Sequence, residues 1–227
     1  MLNMRSTPGS GRPVAEEDLT TRARIRDAAI RRFARAGFGA SVRSIAEEAG
    51  VSPGLVIHHF GSKDALRAVC DAHVLRTIAE AKHSAVGPGG PTEVLRQLAD
   101  VEEYAPLAAY TVHALLAGGG LATAFLEQMI ADAEAYLAAG VAAGTIRPSR
   151  DPARRARYLV LASTGSLVLH MRLRPRGLDD VGAALRELAE AATLPALELY
   201  TEGLLTDRSM LDSYLMYVPD PPGGGGA

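Results

Sequence analysis

The sequence is poor in the residues that stabilise disulfide-rich and sheet proteins. Its 227 residues include no tryptophan, four phenylalanines and a single cysteine, Cys70. One cysteine excludes an internal disulfide framework and fits the reducing cytoplasm. No alternating apolar pattern of a β-strand persists, whereas alanine and leucine are abundant. These features predict an all-α fold.

Long apolar runs are also missing. No stretch approaches the roughly 20 apolar residues that cross a bilayer, and the N-terminus lacks the apolar core of a signal peptide. We therefore expect no membrane partner and a cytoplasmic location.

The usual motifs of catalysis and cofactor binding are missing as well. The sequence contains no glycine-rich phosphate loop, no Cys-x-x-Cys, no His-Glu-x-x-His and no nucleophile elbow. Gly118, Gly119 and Gly120 lack the lysine and the preceding strand of a phosphate cradle. Glu47 and Glu48 are better explained as a solvated helix face than as a catalytic pair. We therefore predict that the protein is not an enzyme and that it binds no cofactor.

Charge is distributed unevenly along a chain whose net charge is −2. Between Thr20 and Lys63, eight basic residues face three acidic ones, which gives this segment a net charge of +5 and the remainder −7. A basic small domain joined to an acidic larger one is the pattern expected of a DNA-binding protein with a second, non-DNA-binding domain.

The segment Ser41–Lys63 contains the most informative motif. Apolar residues at helical spacing are followed by Gly50, at a position that favours a helix end. Ser52 and Pro53 then provide an N-cap and a first helical residue. Two short helices joined by a tight turn are predicted, which is a helix-turn-helix. Such a unit can place its second helix in the major groove of DNA.

Extended to Thr20–Leu66, this segment resembles the DNA-binding domain of the TetR (tetracycline-repressor-like) family of transcriptional regulators. The resemblance covers about a fifth of the chain. The matching residues are Ile25, Ala28, Ala29, Phe33, Gly37, Phe38, Ile45, Ala46, Ala49, Gly50, Val51, Leu55, His59, Phe60, Lys63 and Leu66.

The resemblance implies that Pro53–His59 is the recognition helix of a regulator, more specifically a repressor that binds a palindromic operator. The predicted DNA contacts are Arg43, Ser44, Ser52, Pro53, Gly54, Val56, His58, His59 and Lys63. Val56 is expected to contact a thymine methyl group, and Lys63 a phosphate. Ile57 departs from the family pattern, because many relatives carry a phosphate-binding tyrosine there. Adjacent histidines on a helix point in different directions, so we predict no metal site at His58 and His59.

The predicted chain organisation has four parts. Residues 1–17 and 218–227 are rich in glycine, proline and small polar residues, which predicts disorder at both ends. Residues 18–66 form the predicted DNA-binding domain. The resemblance implies that residues 67–217 form a helical effector-binding and dimerisation domain.

Further helices are predicted along the chain. Their ranges are Glu17–Ala36, Asp64–Ala85, Thr92–Tyr104, Ala105–Ala117, Leu121–Ala143, Asp151–Arg174 and Asp180–Thr206, the last with a kink or break at Pro195.

The resemblance also implies a homodimer and a small-molecule effector, which the apolar helices suggest to be hydrophobic. Candidate effector contacts are Tyr104, Tyr110, His113, Phe125, Met129, Tyr136 and His170. Candidate dimer contacts are Leu161, Thr164, Leu167, Val168, Leu185, Leu188 and Ala192. Ordinary core packing explains both sets equally well by periodicity, because a core face and an interface have the same pattern. Two other functions stay open at this point: a helical interaction module that does not bind DNA, and an enzyme.

Overall fold

The computed structural model describes residues 12–174 and 178–218, with side chains from residue 20 onward. These residues form ten α-helices and two short 3-10 helices, and no strand occurs among them. In chain order the α-helices are α1 Arg12–Ala36, α2 Val42–Ala49, α3 Pro53–Phe60, α4 Lys63–Val86, α5 Gly90–Ala99, α6 Ala105–Leu116, α7 Gly119–Ala142, α8 Pro152–Leu173, α9 Val181–Thr201 and α10 Ser209–Leu215. The all-α prediction is confirmed. Within this part of the chain, no helix is both long enough and apolar enough to cross a membrane.

The chain divides into two compact units, Met1–Ala72 and His73–Ala227, and the division falls inside α4. In the first unit, α1 packs against α2, and α2 packs against α3. Its core contains large side chains from each helix, among them Ile25, Phe33, Ile45 and Leu66, all with no exposed surface. These are positions at which the sequence matches the family pattern.

The larger unit is built around the pairing of α7 with α8. One core cluster joins Ile130, Ala133 and Leu137 of α7 to Ala156 and Val160 of α8. A second cluster joins α6, α8 and α9 through Val112, Met171 and Ala184. Burial of these apolar faces provides the main driving force for assembling the helices of this unit.

Two predicted helices differ from the structure. The predicted helix Thr92–Tyr104 is wrong, because α5 ends at Ala99 and a 3-10 helix covers Val101–Tyr104. Pro106 lies in the first turn of α6, where a residue without an N–H is tolerated. It could not lie inside one helix that continued from α5 into α6, because that helix would need the missing N–H.

The end of α9 also differs from the prediction. The helix continues through Pro195 without a break and ends at Thr201 rather than Thr206. Gly203 explains the earlier end, because it adopts a left-handed φ of +83° just beyond the last helical residue. The short helix α10 was not predicted.

The chain ends lie partly beyond the described residues. Helix α1 begins at Arg12, five residues before the predicted start at Glu17, so the predicted disordered arm 1–17 is wrong for residues 12–17. Residues 1–11, and all but the first residue of the predicted disordered tail 218–227, lie outside the described residues.

Candidate nucleic-acid interface

Local capping fixes the turn between α2 and α3. The Ser41 hydroxyl oxygen accepts a hydrogen bond from the Ser44 N–H at 3.1 Å and so opens α2. Gly50 closes the helix in the left-handed region at φ +66°, and the Val51 N–H donates to the Ala46 carbonyl at 3.0 Å. A residue with a Cβ would be strained at this φ, so the glycine sets the direction of the turn.

Serine caps also open the next two helices. Ser52 Oγ accepts from the Leu55 N–H at 3.2 Å, and Pro53 lies in the first turn of α3. Ser62 Oγ accepts from the Ala65 N–H at 3.0 Å and opens α4. Lys63 is the first residue of α4 and is half-buried. Helix N-termini carry partial positive charge and backbone N–H donors, which suit them to phosphate.

Helix α3 has one buried and one exposed face. Val56 and Phe60 are 1% and 7% exposed, and they form the face that packs into the unit. Pro53, Gly54 and His58 are exposed. The predicted contact of Val56 with a thymine methyl group is therefore wrong, because its side chain belongs to the core.

Arg22 of α1 holds the C-terminal end of α3. One of its guanidinium nitrogens donates to the His59 carbonyl oxygen at 3.0 Å, and the guanidinium lies 4.8 Å from the centre of the Phe60 ring. The His59 ring is half-buried and meets the Phe60 ring edge-on, with centroids 6.3 Å apart. Sequence analysis missed this role of Arg22, because its partners lie 37 positions away and no local signal identifies them.

Several arginines of the basic segment tie its helices together. Arg31 and Arg35 of α1 both pair with Glu48 of α2, the first at 3.1 Å, and Glu48 is mostly buried. Arg43 pairs with Glu47 one turn along α2 at 3.1 Å, and its side chain is 83% exposed. Arg43 thus lies on the surface beside the turn, whereas Arg31 and Arg35 are partly engaged in holding α1 to α2.

Ser44 is placed in the first turn of α2, where its hydroxyl donates to the Ser41 carbonyl at 2.9 Å. The structure therefore brings together the predicted DNA residues of α2, the turn, α3 and the start of α4 in one small unit. Val56 is the member of that set which does not reach the surface.

Two of the predicted effector residues line one cavity. Met129 and Tyr136 line a cavity of about 40 Å³ together with Leu75, Asp132 and Val160. Tyr136 also borders an open groove of about 400 Å³ with His83 and Asp132. Burial raises the pKa of the Tyr136 hydroxyl above its ordinary value, so the hydroxyl stays protonated at neutral pH.

The other predicted effector residues are described by their packing and hydrogen bonds within the larger unit. Tyr110 and Phe125 are buried against each other with ring centroids 6.5 Å apart, as in ordinary core packing. Tyr104 is half-buried and hydrogen-bonded to Arg96. His113 is half-buried, and so is His170, whose buried Nε2 atom has no hydrogen-bond partner among the described residues.

Most predicted dimer residues contribute to the core of the protomer. Thr164 is 7% exposed and its hydroxyl donates to the Val160 carbonyl at 2.6 Å, so its predicted interface role is wrong. Three more of the predicted dimer residues pack against the cluster of α6, α8 and α9, namely Leu167, Val168 and Leu185. Their burial within the monomer is the alternative explanation of the apolar pattern.

Leu161 and Ala192 are exposed, and Leu188 is half-buried. Further large apolar side chains are exposed on the same two helices. They are Tyr158, Leu169 and Leu173 of α8, and Leu194, Leu197, Leu199 and Tyr200 of α9.

Comparison with known proteins matches both units. Residues 25–70 match the family described as "Bacterial regulatory proteins, tetR family", and residues 102–206 match the "Tetracyclin repressor-like, C-terminal domain". The chain is 50% identical over 198 residues to the HTH-type transcriptional regulatory protein RaaS of Mycobacterium tuberculosis, covering 87% of this chain and 93% of that protein.

Two further similarities are more limited. The chain is 40% identical over 78 residues to the HTH-type transcriptional regulator BetI of Burkholderia thailandensis, covering 33% of this chain and 40% of BetI. A TetR-family regulator from Streptomyces coelicolor shares the fold, with a TM-score of 0.54 at 17% identity and 90% of each chain covered. From the two matched domains and the near full-length relative, it follows that this chain is a transcriptional regulator of the TetR family, with a helix-turn-helix DNA-binding domain, and not an enzyme.

Proposed function

We propose that this chain is a homodimeric repressor that binds a palindromic operator through α3 and releases it when a small hydrophobic effector binds. We assign DNA binding to residues 18–66, effector binding and dimerisation to residues 67–217, and the protein to the cytoplasm. The observation that carries the DNA-binding assignment is the capped turn at Gly50 and Ser52, which leaves one face of α3 exposed.

Phosphate contacts would come from the surface around that face. Arg43 is highly exposed on α2, and Lys63 begins α4 at a helix N-terminus. Ser44, Ser52 and His58 add hydroxyl and imidazole groups to the same unit. Contacts of this kind orient a protein on the duplex and make its affinity fall with salt, but they do not read sequence.

A dimer is needed for useful affinity, because one recognition helix offers only a small contact surface. The exposed leucines and tyrosines of α8 and α9 support it, since apolar side chains lying close together on a surface mark an interface. A symmetric dimer repeats the recognition helix and so matches a palindrome.

The cavity lined by Met129 and Tyr136 supports an effector mechanism that requires movement. At about 40 Å³ it is far smaller than the several hundred Å³ of a typical ligand site. Four residues of α4, among them Ile78 and Ala79, line the same cavity. An effector that enlarges this cavity would displace α4, and it would release DNA only by binding the displaced state more tightly.

The test is fluorescence-anisotropy binding to the DNA upstream of the gene that encodes this protein, at two salt concentrations and with excess random DNA. Competitor-resistant binding supports a sequence-specific autoregulator. Binding that random DNA abolishes would show only electrostatic attraction at that sequence, and selection from random DNA would then identify the operator. Failure to select any sequence would overturn the proposal.

A further inference from the structure

The exposed face of α3 carries one large apolar group. Ile57 is 42% exposed, and within residues 20–72 it is the one large apolar side chain that reaches the surface to this extent. A single exposed isoleucine is unremarkable on an ordinary surface. On this helix, however, it lies on the exposed surface, one turn after Pro53 and Gly54 and next to His58.

The neighbours of Ile57 leave room for a close approach of DNA. Side chains of a helix lean toward its N-terminus, so Ile57 projects over the turn that contains Pro53 and Gly54. Gly54 has no side chain, and a Cβ built there would find open space apart from the Ser52 hydroxyl at 3.9 Å. Gly54 therefore leaves open space beside Ile57 for the approach of a bound duplex.

The chemistry of this face is poor in hydrogen-bonding groups that read bases. Helix α3 contains no arginine, asparagine or glutamine, the side chains that pair best with guanine or adenine edges. In the major groove, the apolar feature that a branched aliphatic side chain can contact is the C5 methyl group of a pyrimidine. We propose that Ile57 is a specificity-determining residue that reads a pyrimidine C5 methyl group, that of thymine or of 5-methylcytosine, in each operator half-site.

This inference rests on the proposed DNA-binding function of α3. Its test has one outcome that contradicts that function and a different outcome that contradicts the role of Ile57. The operator is first obtained by selection from random unmodified DNA with the full-length wild-type protein. Failure to select any sequence counts against the function itself. A selected half-site without a thymine in its major-groove core would overturn the role of Ile57 alone, because thymine is the methyl-bearing base in that DNA.

Each thymine of the selected operator is then replaced singly by deoxyuridine, which removes the methyl group and leaves base pairing intact. For the wild-type protein we expect one position per half-site at which the replacement weakens binding about fourfold, the effect of one buried methyl group. Replacement in both half-sites should weaken binding about fifteenfold, because the two contacts are independent.

The variant Ile57→Ala tells whether that methyl group is read by this residue. It should bind the thymine and the deoxyuridine operators with equal affinity, while His58→Ala, altered on the same face, should keep the fourfold difference. If Ile57→Ala retains the wild-type difference, or if no deoxyuridine replacement changes wild-type binding, the inference is wrong. Unchanged thermal unfolding of Ile57→Ala confirms that the comparison is made between folded proteins.

The two sources of the methyl group are distinguished at the same position. The critical T·A pair is replaced by C·G and by 5-methylcytosine·G. If the methylated pair binds more tightly than the unmethylated one in wild type but not in Ile57→Ala, the methyl group is recognised on either base. Equal binding of the two cytosine pairs, together with the deoxyuridine effect, assigns the recognition to thymine.

Discussion

The helix-turn-helix unit and the larger unit differ in how completely each buries its own apolar side chains. Among residues 20–72, Ile57 is the one large apolar side chain that is exposed. Among residues 73–174 and 178–218, eighteen are exposed, and fifteen of them lie at or beyond Tyr158. The first unit therefore has a complete core within one protomer, whereas the second leaves apolar surface that a partner would cover.

The largest effect is expected from charged residues on the exposed faces of α8 and α9. The double substitution Leu169→Glu and Leu197→Glu should convert the proposed dimer into monomers, because it buries two charges in an apolar interface. Operator affinity should fall at least about a hundredfold, since the two recognition helices are no longer linked. Sedimentation measures the oligomeric state, and anisotropy measures the affinity.

Leu95→Glu is the matched control for that experiment. Leu95 is 69% exposed, but it lies on α5 rather than on α8 or α9. It should leave both the oligomeric state and the affinity unchanged. A dimer that survives the double substitution would show that these faces do not form the interface.

Two neighbouring residues of α3 show the same contrast between a buried and an exposed side chain. Val56→Ala should destabilise the helix-turn-helix unit by roughly 2 kcal/mol, because it removes buried methyl groups and leaves a cavity. Ile57→Ala should change stability by less than about 0.5 kcal/mol, because that side chain is exposed. Native-state hydrogen exchange of residues 20–72 measures both effects, and equal destabilisation would contradict the two-faced description of α3.

Lys63→Ala should have a smaller effect, confined to DNA binding. We expect affinity for all DNA sequences to fall alike, about fivefold, and the salt dependence to decrease by about one ion per protomer. Lys82→Ala is the control, since Lys82 is the other lysine of the chain and lies on the larger unit. An unchanged salt slope for Lys63→Ala would refute its role as a phosphate contact.

The last effect is absent at neutral pH and appears only in alkaline solution. Cys70 is fully buried, and burial, with a contribution from Asp71, raises the pKa of its thiol from 9.0 to about 12. Above pH 9 the unfolded thiol ionises while the folded one does not, so stability should fall between pH 9 and about 12, by at most ~1.4 kcal/mol per pH unit. Below pH 9 the thiol has no such effect. Urea unfolding of the wild type and Cys70→Ala measures it, and identical pH profiles for both would exclude this contribution.

Sequence patterns predicted the helix-turn-helix because its determinants are local. The caps at Ser41, Ser52 and Ser62 each act on an N–H three residues later, and Gly50 acts at its own position. The choice between Val56 and Ile57 was missed for the opposite reason. Both are aliphatic, and the face that is buried depends on distant contacts such as that of Arg22 with the end of α3.

The larger unit was predicted less well, because its residues are sorted by packing between distant helices. Thr164, Leu167 and Val168 share the apolar spacing of an interface, yet they lie on the core side of α8. Leu169 and Leu173 lie on the exposed side of the same helix. Apolar residues on more than one stripe of a helix do not show which stripe faces inward, and no local motif marks effector contacts.

The opposite exposure of Val56 and Ile57 has a consequence for how such a regulator diverges. Position 56 is constrained by the core, so its side chain is selected for shape and changes little while the fold is kept. Position 57 makes no comparable contribution to the fold, so it is available for exchange during evolution or in the laboratory. Retargeting this protein to a new operator should begin with a library at position 57 that omits proline, because exposed substitutions there should keep the fold and change the preferred DNA sequence.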